Sequence, residues 1–174
     1  MTIRQELPSD YDEVYQLVKE SFSTVYTDPA ESDEHDYLNE LRKKDCFVPE
    51  LSLVAEDEDG KIVGQVVLYK TVITTPQGEL TELLLSPICV YPSYFRRGIA
   101  RAMIEEVLKK AKGMGFRAVF LCGDPETYSR LGFVPSYSYN ICHVDDDTKT
   151  AEWSMVRELY DGALSGISGT VDTI

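Results

Sequence analysis

Leu85-Ser86-Pro87-Ile88-Cys89-Val90-Tyr91-Pro92-Ser93-Tyr94-Phe95-Arg96-Arg97-Gly98-Ile99-Ala100-Arg101-Ala102-Met103 is the stretch from which the fold of this 174-residue chain can be read. It opens as an apolar run, is interrupted by Pro92 and two arginines, and resumes after Gly98 with apolar residues at helical spacing. Ile99, Met103, Ile104, Val107, Leu108 and Ala111 share one face, while Glu105, Glu106, Lys109, Lys110 and Lys112 lie off it. Gly113 and Gly115 end the helix. Residues 116–122 are again short, apolar and strand-like. Strand, helix, strand in this order is a βαβ unit, so the strands at 79–90 and 116–122 are expected to be parallel neighbours.

The same stretch stands apart in charge. The chain has 30 Asp and Glu against 17 Lys and Arg, a net charge of −13, yet the 22 residues between Glu82 and Glu105 contain no acid and hold Arg96, Arg97 and Arg101. A helix N-terminus leaves its first N–H groups unpaired and carries about half a positive charge. With a glycine for close backbone approach and arginines to fork onto oxygens, such a turn can hold a phosphate or pyrophosphate. An ordinary strand-to-helix turn with solvated arginines is the plainer reading of the same residues.

Working outward, residues 2–6 read as a first strand, with Pro8-Ser9-Asp10 as turn and N-cap. Tyr11, Val14, Tyr15, Leu17, Val18 and Phe22 mark a helix, and 33–44 a second one with Tyr37, Leu38 and Leu41 as its stripe. Strands at 51–56 and 61–75 form a hairpin across Asp57-Glu58-Asp59-Gly60. After the βαβ unit come a short helix at 125–131, strands at 138–144 and 151–159, and a Gly/Ser-rich tail from 161 with no clear pattern. The order β-α-α-β-β-β-α-β-α-β-β predicts an α/β (α+β) fold, with a mixed, mostly antiparallel sheet flanked by helices. The length suits a single domain spanning 1–174.

Composition, 43% hydrophobic and 27% charged, is that of a globular chain. The acidic balance argues against nucleic acid and against an anionic membrane surface. No apolar run approaches a membrane span, and the N-terminal residues do not resemble a secretory signal. Cys46, Cys89, Cys122 and Cys142 have no metal-site spacing. They read as buried, reduced thiols of a cytoplasmic protein without a metal.

Phe95-Arg96-Arg97-Gly98-Ile99-Ala100 resembles the Gln/Arg-x-x-Gly-x-Gly/Ala turn of the GCN5-related N-acetyltransferase (GNAT) family, with Phe95 in place of Gln or Arg. Downstream, Tyr128-Ser129-Arg130-Leu131-Gly132-Phe133 resembles the family's Tyr-x-x-x-Gly-Phe element. The Gly123-Asp124-Pro125 start and the ending around residues 162–169 are similar to its YhbS-type branch.

The resemblance implies a splayed sheet that holds acetyl-CoA as co-substrate, and direct acetyl transfer to a primary amine of a small molecule or peptide. It implies that the backbone of Ile88, Cys89 and Val90 pairs with the pantetheine arm, with Cys89 otherwise a core residue. It places the pyrophosphate on the N–H groups of Arg96, Arg97, Gly98, Ile99, Ala100 and Arg101. Tyr128 falls where the family has a tyrosine that protonates the departing thiolate, a sensible match of a phenol of pKa about 10 to a thiol of pKa about 8–9.

Glu82 lies on the same strand face as Leu84, Ser86 and Ile88, which makes it a candidate general base. A solvent-facing carboxylate at a strand end is the alternative, and Glu79 is a weaker candidate. Asp124 reads as the cap of the short helix. Acceptor walls are expected in 23–44 and 135–150, where Tyr26, Tyr37, Tyr137 and Tyr139 line a pocket or fill core. Dimers through the C-terminal strands are common in the family. The Phe95 departure keeps open a second function, a non-catalytic acyl-CoA-binding or regulatory protein on the same fold.

Overall fold

The structure, a computed structural model, describes residues 1–173. Among them are nine strands and four α-helices: β1 (Thr2–Gln5), α1 (Tyr11–Ser23), α2 (Glu34–Leu41), β2 (Phe47–Glu56), β3 (Ile62–Thr75), β4 (Gly78–Val90), α3 (Ile99–Gly113), β5 (Ala118–Cys122), α4 (Pro125–Ser129), β6 (Val134–Pro135), β7 (Ile141–His143), β8 (Ser154–Glu158) and β9 (Gly169–Val171). The strands hydrogen-bond into a mixed, mostly antiparallel sheet, as expected. No helix among the described residues is long and apolar enough to cross a membrane. The chain divides into two compact units, Met1–Leu68 with Ser86–Lys110, and Tyr69–Leu85 with the chain from Ala111 onward.

In the first unit β1 runs antiparallel to β2, with Ile3 opposite Ala55. The helical stripes are buried as their spacing predicts: Val14, Leu17 and Val18 of α1, Leu38 and Leu41 of α2, and Ile99, Met103, Ile104, Val107 and Leu108 of α3. A Cβ on Gly64 would lie 2.9 Å from Met103 Cε, so the bare backbone of β3 is what admits the Met103 side chain.

Two expectations are corrected here. Asp10 does not cap α1 through its side chain. Its carboxylate accepts the Leu7 N–H at 2.7 Å and pairs with Arg4 at 2.7 Å, and the guanidinium holds its carboxyl below the usual carboxylate range. The second helix stops at Leu41 rather than Lys44: beyond it the Lys43 and Lys44 N–H groups donate three residues back, to the Glu40 and Leu41 carbonyls, and the Arg42 side chain pairs with the buried Glu6 carboxylate. The Arg42 guanidinium lies 4.0 Å over the Tyr11 ring, and the Ser52 hydroxyl donates to the second Glu6 oxygen at 2.7 Å. A buried carboxylate requires that kind of multiple satisfaction.

In the second unit β4 and β5 are parallel neighbours, with Leu83 opposite Val119 and Leu84 opposite Phe120. β8 pairs antiparallel to β5 and β6 to β8. The expected strand at 138–144 is half 3-10 turn (Ser136–Tyr139), because Asn140 takes a left-handed φ of +59° and only then does β7 begin. The two-residue β6 was not legible at all.

The tail is not patternless either, since β9 pairs antiparallel to β3, Ile73 opposite Val171, and parallel to β7. Gly169 is required there twice over. Its φ of +156° is costly for side chains, and a Cβ would sit 2.0 Å from the Thr74 carbonyl oxygen. Gly169→Ala is expected to loosen β9 from β3 and cost about 2 kcal/mol or more, lowering Tm by roughly 4–8 °C in thermal denaturation. The four cysteines are free, but only Cys89 is buried, and Cys122 is exposed.

Candidate active site

The sequence-selected residues fall into one group in each unit. In the first, β4 ends at Val90 and the Tyr91 N–H donates to the Val63 carbonyl at 2.9 Å, so the strand stays anchored to β3 up to the turn. A single 3-10 turn follows, Pro92–Tyr94. Then Arg96 takes a φ of +62° and Gly98 a φ of +76°. Left-handed residues in a turn aim successive N–H groups toward one side and make an anion-binding concavity. The Ala102 N–H donates to the Gly98 carbonyl at 3.0 Å, which closes the first turn of α3. The N–H groups just before it lie in the stretch that has no intrahelical acceptor.

At Gly98 the left-handed torsion itself calls for glycine, and a Cβ there would meet no protein atom within 4 Å. Arg96, Arg97 and Arg101 are exposed, Ile99 is buried and Ala100 half-buried.

The loop is braced from behind. The Tyr94 hydroxyl donates to Asp57 Oδ2 at 2.7 Å, and the Arg97 guanidinium lies 4.8 Å over the Tyr94 ring. Asp57 Oδ1 in turn accepts the Asp59 and Lys61 N–H groups at 3.0 Å each. The Tyr94 hydroxyl, then the backbone N–H groups, hold the Asp57 carboxyl below its ordinary range. A cavity of about 420 Å³ opens here, with Asp57, Val63, Tyr94, Arg97 and Ile99 in its wall. Nothing in the sequence pairs position 57 with position 94, and so this brace was missed.

Ile88 is half-buried, while Cys89 and Val90 are buried. Burial pushes the Cys89 thiol up to about 12, so it is a neutral core group and no nucleophile near neutral pH.

In the second unit Glu82 is not at a solvent-facing strand end. It is 1% exposed. One oxygen accepts the N–H groups of Arg117 and Ala118 at 2.9 and 3.3 Å, and the other accepts Arg117 Nη1 at 3.1 Å. The carboxylate therefore ties β4 to the first residues of β5. Glu82 is the buried member of the pair, whereas the Arg117 side chain is 41% exposed.

At the far end of β5, Asp124 caps α4 as expected, accepting the Glu126 and Thr127 N–H groups and the Thr127 hydroxyl. Tyr128 is half-buried on that short helix, edge-on to Phe133 with centroids 6.0 Å apart. Burial, and secondarily the Asp124 charge, raises its phenol above the ordinary value of 10.0. The Tyr128 carbonyl accepts the Leu131 and Phe133 N–H groups at 3.0 and 3.2 Å, which is how the Tyr-x-x-x-Gly-Phe spacing folds. Among the expected acceptor-wall residues, the Tyr26 hydroxyl donates to Glu34, which pushes the phenol up to about 12.

Chemically, the first group can hold an oxyanion-rich ligand on backbone N–H groups, and the second offers a phenol that stays protonated through neutral pH. Comparison with known proteins bears on both. A family model described as an acetyltransferase (GNAT) domain matches residues 2–136. The chain is 32% identical over 173 residues to the uncharacterized N-acetyltransferase YhbS of Escherichia coli K12, which covers 99% of this chain and 95% of that protein. Among solved structures, the GNAT family N-acetyltransferase YhbS from Escherichia coli in complex with CoA matches with a TM-score of 0.83 at 28% identity, covering 99% of this chain and 89% of that one. A GNAT family acetyltransferase from Brucella melitensis in complex with acetyl-CoA matches with a TM-score of 0.76 at 25% identity, covering 99% and 95%.

Proposed function

The chain belongs to the GNAT acetyltransferase family, and on that premise we propose that it transfers the acetyl group of acetyl-CoA directly to a primary amine of a small molecule or peptide, within a ternary complex. The observation that carries this reading is the turn from Phe95 to Ala100, in which left-handed Arg96 and Gly98 present backbone N–H groups at the start of α3. Relatives of similar chain length bind CoA and acetyl-CoA, and this turn suits the pyrophosphate they share. The backbone of Ile88, Cys89 and Val90 is assigned to the pantetheine arm. Arg96, Arg97, Gly98, Ile99, Ala100 and Arg101 are assigned to the phosphates.

In the reaction, the neutral amine attacks the thioester carbonyl carbon while a β4 backbone N–H donates to the carbonyl oxygen. The C–N bond forms, the C–S bond breaks, and Tyr128 gives its proton to the departing sulfur. The ammonium proton leaves to water, and the Tyr128 phenolate takes a proton back from water, which restores the phenol. To Glu82 we assign positioning of the start of β5 rather than the base role that its strand face suggests, since three donors already occupy its oxygens. A cytoplasmic location and a homodimer through the C-terminal strands remain part of the proposal, on the family resemblance.

Titration of the protein with acetyl-CoA by calorimetry tests the reading at its base. Saturable binding is expected, and none at about 1 mM overturns it. CoA release over a panel of polyamines, aminoglycosides, amino acids and peptides then separates an enzyme from an acyl-CoA-binding protein without activity. The brace behind the loop has its own expected result. Tyr94→Phe should raise KM for acetyl-CoA about three- to tenfold with kcat little changed, because it loosens a binding element and leaves the reacting groups alone. Steady-state kinetics in varied acetyl-CoA check it.

A further inference from the structure

Gly123, between β5 and α4, is a glycine for reasons of space. It is absent from the positive-φ residues of the chain, so its backbone would accept an alanine. Its Cβ position is occupied all the same: a Cβ would lie 2.4 Å from Tyr128 Cε2 and 2.7 Å from Cδ2, with Leu121 Cδ1 next at 3.3 Å. The Tyr128 ring lies on the bare backbone of Gly123, with the edge contact to Phe133 as a second restraint.

The backbone of Tyr128 is held separately, by the Leu131 and Phe133 N–H groups on its carbonyl and by the Asp124 cap at the start of the helix. A side chain at position 123 would thus displace the ring and not the main chain. Ordinary contact begins at 3.4 Å, so the displacement is about 1 Å, a distance that costs a reacting group on the order of 10²-fold.

We propose that Gly123 is a positioning residue for Tyr128: its missing side chain is the seat that fixes the direction of the phenol and hence where its proton is delivered. The inference rests on the assignment of Tyr128 as proton donor. The sequence shows Gly123-Asp124-Pro125 only as a turn and a cap, and the contact with a ring five residues on becomes visible once α4 is folded.

The test is Gly123→Ala made in two backgrounds, the native chain and Tyr128→Phe, with acetyl-CoA affinity by calorimetry, kcat with the best acceptor of the amine panel, and an ultraviolet titration of the phenols. Phe keeps the ring atoms that a Cβ would strike and lacks only the hydroxyl. In the native background kcat should fall about 10–100-fold with acetyl-CoA affinity within about twofold. In the Tyr128→Phe background the same substitution should cost less than about twofold. The ionisation assigned to Tyr128, by its loss in Tyr128→Phe, should shift from its position above 10.0 toward the value of a solvated phenol in Gly123→Ala.

Equal losses in both backgrounds, or no loss in the native one, overturn the proposal. If Tyr128→Phe alone leaves kcat unchanged, or the panel yields no acceptor, the proton-donor reading is what fails. The phenol titration then decides the seat alone, an unchanged ionisation overturning it.

Discussion

Tyr128→Phe is expected to lower kcat by about 10²–10³-fold while acetyl-CoA affinity stays within about twofold. The asymmetry follows from when the hydroxyl acts. Before the C–S bond breaks, the sulfur bears little charge and has small need of a donor. As the bond breaks, a thiolate forms whose conjugate acid has a pKa of about 8–9, and a phenol in reach spares it from leaving as a free anion. The ring itself, with its contact to Phe133 and its seat on Gly123, is retained in the variant, so ground-state packing is preserved.

The pH profile sharpens the expectation. Burial raises the Tyr128 phenol above 10.0, so the acid form persists through neutral and mildly alkaline pH. The alkaline fall of kcat that reports this group should therefore lie above pH 10 and disappear in Tyr128→Phe. An unchanged kcat in the variant removes the assignment.

Glu82→Ala should be the most costly single change to stability at the site. It removes an acceptor from two backbone N–H groups and from a guanidinium, and leaves a void where the buried side chain was. Because Arg117 is 41% exposed, its charge can return to water, which keeps the loss below that of a fully buried pair. About 3 kcal/mol is expected, equivalent to a fall in Tm of roughly 6–12 °C for a chain of this size.

Glu82→Gln separates the two readings of this residue. As a positioning group it keeps one carbonyl oxygen for the backbone donors, and kcat below the melting range should stay within about threefold. As a general base it would lose proton-accepting capacity altogether, and kcat should collapse with the acid limb of the pH profile. Thermal denaturation and a pH-rate series on the same preparation decide between them.

Legibility in the sequence followed range along the chain. The long helices, the hairpin at 57–60 and the βαβ unit were readable, because helical spacing and turn residues are set by neighbours a few positions apart. The loop at 95–100 was readable for the same reason, since a glycine after two arginines at a strand-to-helix turn is local information. That Arg96 shares the left-handed region with Gly98 was not, because no residue type signals it.

β9 escaped notice because a three-residue strand has no period to detect. What makes it a strand is its partner β3, nearly a hundred residues earlier. Glu82 was placed correctly in its strand, yet its exposure was misjudged, since its three donors come from residues 117 and 118. Gly123 and the Tyr94–Asp57 brace were invisible for the same reason: each depends on a contact that exists only after folding.

The tight hairpin turns at 57–60 and at 75–78 are not equivalent sites for grafting an epitope or a reporter. In the second, Thr75 Oγ1 accepts the Gln77 N–H and donates to the Gly78 carbonyl, so the turn satisfies its own polar groups, and its nearest dependence is the pairing of β9 beside Thr74. In the first, Asp57 reaches out to Tyr94, and through that ring to Arg97. An insertion at 57–60 would be felt at the start of α3, in a loop more than thirty residues away, whereas the turn at 75–78 makes no such contact with Tyr94 or Arg97.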